Sequence, residues 1–587
     1  MASEKGQPGG KSSSSRRVTS PSQTIPHERE LIVIARQEAN LRATPEALKA
    51  APGYQVEPLA NSLASQGLVL EPLFGVSEER LKVEAASVAP SADGAPPDLS
   101  VYYRVQAPDE RLDELAASLR KHPAIAAAYV KPPAELAAMS TSAVEARTLN
   151  DMAPLPDEAP PISPDFSARQ TYLNAAPAGI DARYAWTVSG GRGAGVRITD
   201  CEWGWRFTHE DLTQNQGGVV VGTAITDDNH GTAVLGEFSG DHNGLGISGI
   251  CPDAVVTGAA FSMPTASVIR QAANRLGPGD IMLLEIHRAG PRATGVGQQG
   301  YIAIEWWPDD FDAIRYAVNR GIVVVEAAGN GAQNLDDPVY NTPSPGFPAT
   351  WRNPFNRANR DSGAILVGAG APPPNTHGRD WGPDRSRLDF SNYGSAIDAQ
   401  GWGREVTSTG YGDLQGGSSR DVWYTDTFSG TSSASPIVVG ALGCVQGALR
   451  AAGRIPLSPA RARDLLRTTG SPQQDAPGRP ATQRIGNRPN LRQLIPAALQ
   501  TNHFIGVQFT GTVPAGQTRR WFTFNWPAHW HVVWTVVPTS ITPGGPQVRW
   551  KVQVERASDK YITYWINITN VSSAAANIEA RYAVLGW

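Results

Sequence analysis

Three short segments hold residue types that together could move an acyl group. GVRITDC puts Asp200 at the end of an apolar run, and DNHGTAVLG puts His230 ahead of helix-like residues. FSGTSSASPIVVGA puts Ser432 at the head of a long apolar stretch. A serine hydroxyl is a poor nucleophile until a base within hydrogen-bond reach takes its proton. Histidine suits that task because its pKa lies near neutrality. A buried carboxylate then fixes the imidazole tautomer and stabilises the imidazolium that forms. A fourth segment, EAAGNG, follows the apolar run 322–325 and ends on Asn330. The amide of such an asparagine can donate to the oxygen of a tetrahedral intermediate. Singly, each residue has an ordinary reading as a loop serine, a helix-start histidine, a strand-end cap or an Asn-Gly turn. Together, in this order and in these settings, they point to Asp200, His230 and Ser432 as a triad, with Asn330 as oxyanion donor.

Such groups need rigid supports. Between 169 and 500, apolar runs at 195–198, 254–260, 281–284, 322–325 and 364–367 alternate with amphipathic stretches. Continuous apolar runs joined by helices predict a mostly parallel sheet covered on both faces. Reactive groups in such sheets collect at the carboxyl ends of strands. Pro308 and Asp309 mark a helix start and Gly321 its end. The stretch IVVGALGCVQGAL after Ser432 is apolar nearly all round, which predicts a buried helix with Pro436 in its first turn. The free N–H groups at its start would face the nucleophile, and Gly430 would allow another backbone to come close. Residues 283–291 and 326–329 are expected to border a pocket beside the nucleophile. That makes Glu285, Ala327, Ala328 and Gly329 candidate substrate-binding residues, and Glu285 or Glu326 candidates for favouring a basic side chain.

The 587 residues exceed what one core usually serves. Residues 1–27 are Ser-, Gly- and Lys-rich and are expected to be disordered. Residues 28–137 alternate strand and helix patterns in a small α+β domain, and 138–168 form a Pro- and acid-rich linker open to proteolytic nicking. The α/β domain spans 169–500. Short alternating strands over 501–587 predict an antiparallel β-sandwich-like domain, which holds seven of the 16 tryptophans. A net charge of −4 on this length gives no footprint for nucleic acid. No apolar run reaches the ~18 residues of a membrane span, and the polar N-terminus lacks a secretory core. The expectation is a protein without membrane or nucleic-acid partners, cytoplasmic or exported by a non-standard route. Cys201, Cys251 and Cys444 match neither a metal-ligand spacing nor a disulfide framework.

ITDCEWGW around Asp200, NHGTAVLG around His230, AAGNG around Asn330 and GTSSASP around Ser432 resemble the four signature blocks of subtilisin-like serine peptidases, in that family's chain order. The resemblance covers about 169–500. The aspartate block departs from the family, which has a small residue and Gly after the Asp where this chain has Cys201 and Glu202, with Trp203 and Trp205 close behind. The resemblance implies a mostly parallel seven-stranded sheet between helices and endopeptidase action on a protein or peptide substrate through an acyl-enzyme. It also implies that 28–137 is similar to the family's inhibitory propeptide, with a processing site in the linker. Asp241 in DHNGLG lies where many relatives carry a calcium loop; one carboxylate falls short of the about 6–8 oxygens calcium takes, so no metal or cofactor is expected. Two other classes stay open: a non-catalytic binding protein on a peptidase scaffold, and an acyl transferase or macrocyclase using the same residues.

Overall fold

The alternating apolar runs become, in the computed structural model, one seven-stranded sheet. Residues 28–44, 47–86, 96–138, 159–500, 504–528 and 530–585 are described; the expected disordered 1–27 and most of the expected linker, 139–158, lie outside them. The strand order is Ile397–Trp402, Ile365–Gly370, Val323–Ala327, Ile281–Leu284, Arg197–Glu202, Val255–Ala260, Gln216–Val221. Every neighbouring pair is parallel. The chain enters at Arg197–Glu202, fills the sheet on one side, then crosses to Ile281–Leu284 on the other. That reversal opens a crevice beyond the carboxyl ends of these two strands, where ligands bind in open α/β sheets.

Side chains alternate across the sheet with a period of two. Ile198 and Leu283 face the helix Thr431–Ala451 in one core, while Cys201, Met282 and Leu284 face the opposite core, which also holds Ala272 and Ile314 of the helices Thr265–Ala273 and Pro308–Asn319. Asp200 therefore shares the first face with Ile198 and, two residues on, with Glu202. Thr431–Ala451 is long and apolar enough to cross a membrane, but its apolar stretch is wholly buried inside the domain. Pro436 stands in the second turn of this helix, not the first, because the helix already starts at Thr431. Its ring faces the Ser432 carbonyl and removes that one helical hydrogen bond. All three cysteines are buried free thiols.

The N-terminal domain is a four-stranded antiparallel sheet ordered Leu70–Pro72, Tyr102–Val105, Glu30–Ala35, Ile125–Lys131. One face (Leu31, Val33, Tyr103) packs on its own helices through Leu59, Leu63 and Leu115. The other face (Ile32, Ile34, Tyr102, Tyr129) joins the α/β core over the helices Thr265–Ala273 and Pro308–Asn319. Polar contacts pin the seam. Tyr129 Oη donates to Asp309 at 2.8 Å, and the buried Lys131 ammonium meets Asp309, Asp310 and Glu30. Beyond Lys131 the chain runs through Pro132 and Pro133 into a short strand, Ala134–Leu136, that leaves this domain.

The far end of the expected linker is docked. Gly246 N–H donates to the Pro164 carbonyl at 2.8 Å, and Gln415 donates to the buried Ser163 at 2.7 Å. At the C-terminus, two three-stranded antiparallel sheets face each other across Val513, Trp526, Trp534, Tyr564, Ile566 and Ile578. Two of its tryptophans are thus core, their rings crossing at 5.3 Å.

Candidate active site

The strand Arg197–Glu202 ends in the crevice on Glu202, and the helix Asn229–Ser239 begins beside it with His230 in its first turn. His230 Nδ1 lies 2.9 Å from Glu202 Oε2, and His230 Nε2 lies 2.9 Å from Ser432 Oγ. With the Nδ1 proton given to the carboxylate, Nε2 is free to accept the serine proton, the tautomer a general base requires. The edge of Phe428 abuts the imidazole at 5.4 Å. All three polar side chains are buried.

The structure thus corrects the acid of the expected triad. Asp200 does not reach His230; Glu202 does. The strand runs two residues past Asp200, so Asp200 lies one pleat period, about 7 Å, deeper on the same face. Its Oδ2 accepts instead from Trp205 Nε1 at 2.7 Å. Trp205 is held in place by two glycines. A Cβ on Gly258 of the neighbouring strand would come within 2.7 Å of the indole, and one on Gly231, next to His230, within 2.7 Å of Trp205 Cδ1. The sequence signal for Glu202 was the two-residue period itself, which puts Ile198, Asp200 and Glu202 on one face with Glu202 at the tip.

Burial opposes charge at this centre. It pushes the Glu202 carboxyl up to about 8 and the His230 imidazolium down to about 4, the latter against the pull of Asp200. Asp200 is pushed well above the usual carboxylate range by burial, and next by the charge of Glu202.

The crevice is occupied by this chain's own residues. Ala134–Leu136 adds as an antiparallel strand to Ile286–Ala289, pairing Leu136 with Ile286 and Glu135 with His287. Ala137 N–H donates to the Glu285 carbonyl at 3.2 Å. The Ala137 carbonyl oxygen lies 2.9 Å from Ser432 Oγ and 3.2 Å from Ser432 N. Ala138 then bridges to Gly430. Gly430 has φ of 124°, and a Cβ there would stand 2.3 Å from the Ala137 oxygen, so only glycine admits this approach.

Asn330 stands where the sequence places it. Its Oδ1 accepts from Thr431 N and Thr431 Oγ1, each at 2.9 Å, which fixes the amide beside the helix start. One Nδ2 hydrogen goes to Gln298 Oε1 at 3.0 Å, and Gln298 in turn donates to the Leu136 carbonyl at 2.8 Å. Asn330 N–H donates to His287 Nδ1 at 3.2 Å, and burial presses the His287 pKa down to about 3, keeping that ring neutral. Gln298 and His287 escaped sequence reasoning because nothing in a loop glutamine or a strand histidine announces a partner so far along the chain.

The expected substrate-binding residues divide. Glu285 meets the bound tail through its backbone, while its carboxyl is buried beside Ser435. Its pKa is raised well above normal by burial, then by Asp200 and Glu202. Gly329 N–H donates to Thr431 Oγ1 at 3.3 Å and braces the serine loop, while the Ala328 carbonyl accepts from Asn392 at 2.7 Å. Ala327 closes its strand inside the sheet. Glu326 accepts from the backbone of Glu305 in a separate buried group. Asp241 spends its carboxylate on Thr213 and Gln214.

The chain is similar to several known proteins. The chain is 27% identical to thermitase from Thermoactinomyces vulgaris over 332 residues, 53% of this chain and 94% of that protein. It is 26% identical to an extracellular serine proteinase of Thermus sp. (strain Rt41A) over 70% of this chain and 78% of the relative. A solved structure of fervidolysin from Fervidobacterium pennivorans is similar at a TM-score of 0.43 and 15% identity, over 94% of this chain and 71% of that one. The subtilase family model matches residues 120–490, more than half of the sequence, and the chain belongs to the subtilase family.

Proposed function

We propose that this chain is a serine endopeptidase made as a self-processing zymogen, which cuts its own backbone between Ala137 and Ala138. The observation that carries this reading is the Ala137 carbonyl oxygen lying 2.9 Å from Ser432 Oγ and within reach of Ser432 N–H. Ser432 Oγ attacks the Ala137 carbonyl carbon and its proton passes to His230 Nε2. Glu202 holds the Nδ1 proton and stabilises the imidazolium. Ser432 N–H and the remaining Asn330 amide hydrogen hold the oxyanion. Collapse expels the Ala138 amine, which takes the proton from His230. Water, activated by the same histidine, then frees Ala137 as a carboxylate.

The cut leaves 28–137 seated. Its tail strand still fills the crevice and its buried ion cluster still grips the helix Pro308–Asn319, so the product is its own inhibitor. The tail Ala134-Glu135-Leu136-Ala137 supports a preference for a small residue before the scissile bond. A basic preference finds no support, because the carboxyl of Glu285 lies beside Asp200 and Glu202 and that of Glu326 beside Glu305.

The test is intact mass with a fluorophosphonate probe, on the wild type and on Ser432→Ala. The wild type is expected to yield a new N-terminus at Ala138 and to take up the probe once the 1–137 fragment is removed. Ser432→Ala should stay full-length and unlabelled. A wild type that stays whole and unlabelled would favour a binding protein on this scaffold, and a cut elsewhere would refute the Ala137–Ala138 assignment.

A further inference from the structure

The two carboxyls on the face of Arg197–Glu202 have complementary gaps. Glu202 Oε2 is committed to His230, and Asp200 Oδ2 accepts from Trp205. The other oxygens, Glu202 Oε1 and Asp200 Oδ1, are both buried and have no N–H or O–H donor from any other residue. The two groups are in hydrogen-bonding contact with each other. Two ionised carboxylates could not stay so: like charges in a dry site repel, and one must keep a proton. The groups that act on the pair are His230 from the helix start, Asp227 from the loop before it, Trp205, and Glu285 beyond the next strand. Glu237 acts on Glu285 from below, and Cys201 and Tyr411 feel the pair in turn. The charges that act most on the pair are acids and one imidazole.

We propose that Asp200 is a positioning residue that keeps one proton between its Oδ1 and Glu202 Oε1, which orients Glu202 and lets it carry its charge toward His230. The inference rests on Glu202 being the triad acid. Of the two, Asp200 is the natural holder of the proton. Its partner touches the ring of His230 directly, whereas Asp200 contacts a neutral indole N–H and acts on His230 only through space. The hydrogen bond from Asp200 acts on Glu202 in the matching direction, lowering its pKa against the upward push of burial. Trp205, wedged by Gly231 and Gly258, keeps Asp200 from rotating away. Removal of the proton donor would raise the Glu202 pKa further and starve the triad of its carboxylate near neutrality.

Two measurements test this, and the first needs no activity. Infrared difference spectra at pH 7 of full-length Ser432→Ala, with and without Asp200→Asn, should show loss of a protonated-carboxyl C=O band in the double variant. Loss of an ionised-carboxylate band instead would overturn the proposal. The second is the pH profile of kcat/KM for a fluorogenic peptide copying residues 133–140. Asp200→Leu is expected to move the acid limb to higher pH by about one unit or more, costing about tenfold at neutral pH, with recovery on the alkaline side and KM unchanged. Asp200→Asn, which still offers a donor to Glu202, should keep the wild-type acid limb. Equal shifts in both variants, or in neither, would overturn the proposal. If Asp200→Leu does not fold, Asp200→Asn and the infrared result still decide. Failure of the underlying triad reading looks different: Glu202→Gln would then cut the peptide at the wild-type rate.

Discussion

Two buried clusters of charge flank the central sheet, and they are built on opposite terms. The one at the seam with the N-terminal domain is mixed. Lys131 and Arg288 face Asp309, Asp310 and Glu30, and the ammonium is within bonding distance of three carboxylates. The one under the nucleophile is almost all acid. Asp200, Glu202, Glu285 and, below them, Glu237 are all buried, and each leaves at least one oxygen without a donor. In a mixed cluster each charge offsets the next: Lys131 and Arg288 hold the Asp310 pKa, raised by burial, at about 6, so the cluster suits holding two domains together. An all-acid cluster must keep protons, and protons held that way respond to pH, to the opening of the site and to the state of His230. The first cluster is a clamp. The second tunes the chemistry.

The sharpest way to separate them is to cut one charge from each. Glu202→Gln in the acid cluster keeps shape but replaces the acceptor for His230 Nδ1–H with an amide that can turn its donor side to the ring. Loss of about 10⁴ in kcat/KM is expected, the scale seen when a triad carboxylate becomes an amide, with KM little changed. Measured on the peptide copying residues 133–140, a loss under tenfold would move the acid role back to Asp200. The same measurement on Lys131→Met should leave kcat unchanged, since the ammonium touches only the seam. What should change is the grip of the cleaved N-terminal fragment. Lys131→Met leaves Asp309 and Asp310 facing each other with only Arg288 between them and other charge, a change of about 3–5 kcal/mol for a broken buried ion group. Binding of the separate 1–137 fragment to processed enzyme, read by inhibition, would show it. Equal inhibition by variant and wild-type fragments would remove the clamp from the argument.

The two clusters also differ in how far the sequence disclosed them. The parallel sheet, the buried serine helix and the small α+β domain follow from runs of apolar residues and their punctuation, which are local signals. His230, Ser432 and Asn330 stood out for the same reason, each in a short block with its own glycines. Glu202 did not, because its role depends on where the strand stops. Taking Asp200 as the end of the strand was an error of two residues, and a strand turns that into a displacement of one full pleat on the same face. Lys131 gave no local signal at all. A lysine after an apolar strand reads as a solvated end, and only the docking of that strand over Pro308–Asn319 buries it. The tail in the crevice left no local signal, because it is placed by Gly430 and Ser432 meeting Ala137, contacts that span about 290 residues of chain.

The smallest expected effect is also the one that isolates the acid cluster from everything else. In uncleaved Ser432→Ala protein, burial raises the Glu202 pKa from 4.5 to about 8. Between those values the Asp200–Glu202 pair keeps a proton that the unfolded chain has released, so the pair's share of stability is full below pH 4.5 and is lost as pH rises through 8. His230 acts in the opposite sense, since its depressed pKa of about 4 adds stability as pH rises from there to 6.5. Above pH 6.5 the histidine share is constant, which leaves a window up to pH 8 where the acid share stands alone. Adding Glu202→Gln to Ser432→Ala should flatten the fall of unfolding free energy across that window by at most about 1.4 kcal/mol per pH unit. Other raised acids, such as Asp211 and Glu305, contribute alike to both proteins and cancel in the difference. Lys131→Met in the same background should steepen the fall instead, because the ammonium it removes holds down the raised pKa of Asp310. Parallel curves for the Glu202→Gln pair would mean that the Asp200–Glu202 pair keeps no titratable proton in this window, and the distinction between a clamp and a tuned centre would fail at its acidic end.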